Sequence, residues 1–204
     1  VNLEQAAEGD VTAIYVTDAN QAVQGHAGNQ ELNIYANKVT IKSTDEAITG
    51  NEGKVTLVAN DTLDIIGHVC GYNNVYGGTA KTTIVGDINA AEGSEVNIGL
   101  KGIGSSITGD ILVSADGVKL PGGGINLQFG DEGTITGDIT AQDLGMVEIT
   151  AGDDFEINGK VFATTDGSSI DIQGSDIEIE SGNVRAEQDA VINIGTESAG
   201  KIEI

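Results

Sequence analysis

The sequence predicts an all-β fold, a right-handed single-stranded parallel β-helix, from three observations. Nearly the same phrase is spelled three times, as TIVGDINA at 83–90, SITGDILV at 106–113 and TITGDITA at 134–141. Glycines, most of them following an apolar-x pair, recur at Gly25, Gly50, Gly67, Gly86, Gly109, Gly137, Gly159 and Gly182, a spacing of about 22 residues that falls within the range of solenoid repeats. Between them lie short stretches in which Ile, Val or Leu alternate with polar residues, the pattern of strands with one buried face. About nine coils, each with three strands of roughly 4–6 residues, would form a rod on the order of 40 Å long.

The strands fall into series. EVNIG (95–99), GINLQF (124–129), MVEIT (146–150), SIDIQ (169–173) and VINIG (191–195) form one, and DIEIE (176–180) and KIEI (201–204) another. ELNIYA, KVTIKS, KVTLVA and TLDIIG continue the theme upstream. Clusters of Gly, Asp, Asn and Ser separate them, as turn residues should. No stretch carries apolar residues at helical spacing over a helix length. A β-propeller needs about twice this period, and a sandwich needs hairpin dipeptides that are scarce here.

Within each repeat, Ile107 and Ile135 before the glycine, and Ile111 and Ile139 after it, should point inward and stack coil upon coil. The glycine between them should sit at a corner of a three-sided prism, where a positive φ or a close approach of coils excludes a Cβ. The interval VSADGVKLPGGG (113–124) holds the only proline, Pro121. It reads as a loop extruded from one corner, either a binding loop or a tolerated insertion. Residues 1–204 read as a single domain.

Composition narrows the function classes. The 204 residues include 32 acidic and 9 basic side chains, a formal net charge of -23. Such a chain repels nucleic acid and anionic lipid headgroups, so neither is expected as a partner. Aromatics make up 3 % with no Trp. The single cysteine, Cys70, has no internal disulfide partner and is expected to act as a small buried hydrophobe. No apolar run reaches the ~18 residues of a membrane span, so no direct membrane insertion is expected. The chain opens at VNLEQAAEGD without the features of a signal peptide and ends at GKIEI within a strand-like pattern; both ends read as cut from something longer. The cut ends of a coil stack would be open edges, competent for self-association.

Candidate chemistry concentrates in three places. The residue after each corner glycine forms a column of His26, Asn51, His68, Asp87, Asp110, Asp138, Lys160 and Asn183. Three Asp stacked one coil apart repel by roughly 1 kcal/mol per pair in water. Asx-type hydrogen bonds to the turn backbone, outward solvation, or a structural Ca²⁺ held by Asp87, Asp110 and Asp138 would offset this. No other cofactor is implied. The segment GYNNVYGG places Tyr72, Asn73, Asn74 and Tyr76 together as a candidate surface for stacking on and hydrogen bonding to sugar rings. The alternative is that Tyr15, Tyr35, Tyr72 and Tyr76 only cover sheet faces.

Catalysis is not expected. A polysaccharide lyase needs an acidic cluster beside a basic proton acceptor, and Arg185 has no such cluster in sequence. Of the polygalacturonase-type segments only the Asp153–Asp154 pair is present, and GHV at 67–69 departs from the histidine segment. A serine protease elbow is absent.

The stretches TAIYVTDANQAVQG, ELNIYANKVTIKSTDEAITGNEGKVTLVANDTLDIIG and GGGINLQFGDEGTITGDITA resemble the passenger regions of bacterial autotransporters, the type V secreted proteins, and the similarity runs along nearly the whole chain. The resemblance implies export through a C-terminal outer-membrane β-barrel and display outside the cell at the bacterial surface. It also implies adhesion to a glycan or protein of a host or of another bacterium. A low cysteine content suits passage through a narrow pore. No site residue transfers from such regions. The readings are therefore an adhesive stalk, a carbohydrate-active β-helix enzyme, or a purely structural spacer.

Overall fold

The computed structural model describes residues 2–4, 12–24, 31–91, 95–114, 124–165, 167–180, 183–196 and 200–204. Every regular element among the described residues is a β-strand, and the strands pair in parallel. No helix among them is long and apolar enough to cross a membrane.

The pairings form three ladders. The first runs from residues 64–66 of the strand Glu31–Gly77 through Thr83–Val85, Ser105–Thr108, Glu132–Thr136, Asp154–Asn158 and Asp176–Ile179 to Ile202–Glu203. The second joins residues 69–70 to Ile88–Ala91, Ile111–Ser114, Ile139–Gln142, Val161–Ala163 and Val184–Ala186. The third joins residues 73–77 to Glu95–Leu100, Gly124–Phe129, Met146–Thr150, Ser169–Gly174 and Val191–Thr196. The chain visits the ladders in turn and returns to the first, which makes an all-β parallel solenoid of about six turns, fewer than the nine expected. Upstream, Asn2–Glu4 and Thr12–Gln24 pair in parallel with the strand Glu31–Gly77.

Alternation decides what faces inward. Ile84, Ile107, Ile135 and Ile157 are fully buried and stack in register along the first ladder. Ile88, Ile111, Ile139 and Val161 do the same along the second. The inward positions read from the repeat thus hold. Each such side chain contributes about 1.5–3 kcal/mol by leaving water, and the β-branched residues suit the pleated surface.

The repeated glycine marks where coils touch. Gly86, Gly109 and Gly137 have φ of 146°, 148° and 149°. A Cβ on Gly137 would lie 2.1 Å from the carbonyl oxygen of Gly109, and one on Gly109 would lie 2.4 Å from that of Gly86. Both reasons for glycine at the corner therefore apply at once.

One detail departs from the sequence reading. Cys70 lies on the outward phase beside Asn89 and is half-buried, not in the core. Of the expected loop at 113–124, Val113 and Ser114 end one strand and Gly124 opens the next; residues 115–123 lie outside the described residues. Phe129, at the end of its third-ladder strand, and Phe155, on the first ladder, pack with ring centroids 5.1 Å apart, and Gly133, the register partner of Phe155, makes room for the Phe129 ring. Two of the scarce aromatics thus fill one corner of the core.

Candidate functional site

The column after the corner glycines is a hydrogen-bonded stack. The amide of Asp87 donates to His68 Nδ1 at 2.9 Å, that of Asp110 to Asp87 Oδ1 at 2.9 Å, that of Asp138 to Asp110 Oδ1 at 2.8 Å, and that of Lys160 to Asp138 Oδ1 at 2.9 Å. The Asx bonds expected within a turn therefore reach the next coil instead. A charge-assisted bond contributes about 1.5–3 kcal/mol when protected and less when exposed, enough to offset the repulsion between neighbouring carboxylates. Of the two groups at the ends of the stack, Lys160 can balance its charge, whereas His68 serves as an acceptor. His68 Nδ1 lies 3.4 Å from Asp87 Oδ2, and Lys160 Nζ lies 3.9 Å from Asp138 Oδ2. As an acceptor at Nδ1, His68 carries its proton on Nε2.

The expected calcium residues Asp87, Asp110 and Asp138 thus come together, each with one oxygen engaged by a backbone amide. Among the described residues, no group of three or more His, Cys, Asp or Glu side chains is arranged to hold a metal ion. His26 lies outside the described residues, as does the side chain of Asn51. Asn183 supplies a carbonyl to the amide of Val161 at 2.9 Å.

The candidate sugar-binding segment divides between two faces. Asn73 is buried at 1 % exposure and donates from Nδ2 to the Cys70 carbonyl at 2.6 Å, so it faces the core and leaves the candidate surface. Asn74 is half-buried on the outer side, where its Oδ1 accepts from Asn97 Nδ2 at 3.0 Å. Tyr76 is exposed and its ring lies over Gly99, whose Cβ would sit 2.8 Å from the ring. The side chain of Tyr72 lies outside the described residues, as does that of Tyr15, while Tyr35 is exposed.

Asn74 opens a longer row that sequence reading missed. In register along the third ladder follow Asn97, Asn126, Glu148, Asp171 and Asn193, all on the outer face. Asn97, Asn126, Glu148, Asp171 and Asn193 line a cleft of about 330 Å³. A second cleft of about 320 Å³ continues past Gln173 to Thr196. The outer face of the first ladder differs. Its cleft of about 530 Å³ is walled by carboxylates, among them Glu132, Asp154, Glu156, Asp176 and Glu178. Lys201 stands at its end, where the hydrogen bond its ammonium donates to the Glu203 carboxylate holds it above the usual lysine range.

The residues weighed for catalysis do not converge. Asp153 and Asp154 are exposed beside the first ladder, and Arg185 lies on the second ladder paired with Glu187.

Fold and surface together define a parallel β-solenoid with an aliphatic interior, a glycine-lined corner and two polar clefted faces. No family model, curated protein or solved structure matches the chain.

Proposed function

We propose that this chain is a surface-displayed passenger segment of the autotransporter type, a rigid, non-catalytic stalk that presents its outer faces to a glycan or protein of a host or bacterial surface. The observation that carries this reading is the separation of roles along the repeat. Inward positions keep the same aliphatic character from rung to rung. Outward positions at the same register change from Asn to Glu to Asp. A scaffold of like rungs with varied outer residues suits a stalk that binds along its length.

In this reading the solenoid is right-handed and takes three strands per coil of roughly 22 residues. Handedness follows the rule for parallel crossovers, and the three ladders support the strand count. Export would proceed through an outer-membrane barrel elsewhere in the parent protein.

The test is adhesion of the purified chain to a panel of immobilised glycans and to bacterial and host cells, with reducing-end and unsaturated-uronide release measured in parallel. Saturable adhesion without release supports the stalk reading. Release of either product would replace it with a carbohydrate-active enzyme. No adhesion to any surface would leave only a spacer.

A further inference from the structure

The clefted outer face of the third ladder carries a chemistry the first face lacks. Asn126, Glu148 and Asn193 occupy successive register positions with Asp171 between the last two. Asp171 accepts a hydrogen bond from Gln173 Nε2 at 3.1 Å, whereas the side chains of Asn126, Glu148 and Asn193 engage no other described group. Glu95, whose Oε1 accepts from Asn97 Nδ2 at 2.7 Å, and Ser169 flank this row in the same cleft. Two adjacent carboxylates, Glu148 and Asp171, are therefore bracketed by the amides of Asn126 and Asn193 along one line, at a pitch of about 4.8 Å.

We propose that this face binds an extended, amino-bearing polysaccharide, a β-linked chain of glucosamine units lying along the column of Asn97, Asn126, Glu148, Asp171 and Asn193. The inference rests on the stalk reading above and names the ligand class of its outer face. An extended β-linked sugar chain repeats at a length close to the rung spacing, so successive sugars meet equivalent positions. The amides suit hydroxyl groups, which both donate and accept. Glu148 and Asp171 suit protonated amines through charge-assisted hydrogen bonds. The carboxylates, within a chain of net charge -23, repel a uronic-acid polymer and so select against anionic glycans. The first face offers carboxylates at the same pitch without unengaged amides such as Asn126 and Asn193 beside them.

The experiment titrates the full chain with a glucosamine hexamer, its N-acetylated counterpart, a galacturonate oligomer and spermine. It is repeated with Glu148→Gln, Asn126→Ala and, on the first face, Glu156→Gln. The inference expects saturable binding of the glucosamine hexamer and none of the galacturonate oligomer. Glu148→Gln and Asn126→Ala should each weaken binding by about tenfold, while Glu156→Gln, with the same charge change as Glu148→Gln, should alter it by less than about twofold. All variants change outward residues, and unchanged melting confirms that each is folded.

Equal weakening by Glu156→Gln, or spermine binding as tightly as the hexamer, would reduce the effect to net charge and overturn the assignment. Failure to bind the hexamer while cell adhesion persists would sink this ligand and leave the stalk standing. Loss of all adhesion would sink both.

Discussion

Replacing Gly137 with alanine probes the corner where coils meet. The new Cβ would lie 2.1 Å from the Gly109 carbonyl oxygen and 2.6 Å from its carbon. Relief requires the rungs to part by about 1 Å, because atoms of this kind do not approach within 3.0 Å. The φ of 149° at Gly137 adds strain of about 1–3 kcal/mol for a residue with a side chain. Parting the rungs stretches the 2.8 Å bonds from Ile111 N to Asp138 O and from Asp138 N to Asp110 Oδ1. Those two bonds carry about 1–3 kcal/mol together. The expected loss is thus about 2–6 kcal/mol. Gly195→Ala is the matched control, since a Cβ there meets nothing within 4 Å, and it should cost less than about 0.5 kcal/mol. Urea unfolding followed by circular dichroism reads both, and amide exchange should show the loss centred on residues 109–111 and 137–139, because coils contact only their neighbours. A Gly137→Ala variant as stable as Gly195→Ala would refute the close-approach account.

Ile139→Asp places a carboxylate between Ile111 and Val161 in the fully buried inward stack of the second ladder; a loss of at least about 4 kcal/mol is expected in the same assay. In the corner column, Asp110→Ala leaves the Asp138 amide without its partner and should cost about 1 kcal/mol. Asp110→Asn keeps the acceptor and relieves repulsion, so its melting temperature should equal or exceed that of the parent. If the Asp column is held by backbone amides, a calcium chelator should leave the melting temperature unchanged; a fall of several degrees that Asp110→Asn abolishes would show that a bound cation shares the column.

Much of the interior was legible because two simple periods govern it. The repeat at 83–90, 106–113 and 134–141 places Ile84, Ile107 and Ile135 in one stack, and their partners Ile88, Ile111 and Ile139 in another. The outer face was equally written in the sequence. The motifs VNI, INL, VEI, IDI and INI each hold one polar residue between two aliphatics, and those residues are Asn97, Asn126, Glu148, Asp171 and Asn193. Reading these strands only for their buried face hid the row. The same alternation, counted back from inward Val75, puts Asn73 inside, which composition alone had placed on a ligand surface. Other features need coordinates. The Asp bonds span 23, 28 and 22 residues, so they depend on loop lengths that differ between coils. The room that Gly133 leaves for Phe129 depends on a corner shape no local pattern encodes.

Paired cysteines test the parallel, in-register stacking most directly. Thr108 and Thr136 are exposed, paired in register on the first ladder, and separated by the rung spacing of about 4.8 Å, within the Cα range of a disulfide. In a Cys70→Ser background, the Thr108→Cys, Thr136→Cys variant should oxidise to a monomeric, intramolecular disulfide identified by mass spectrometry, while Thr108→Cys with Thr150→Cys, on a different ladder, should not. A disulfide in the second pair, or none in the first, would contradict the stacked solenoid.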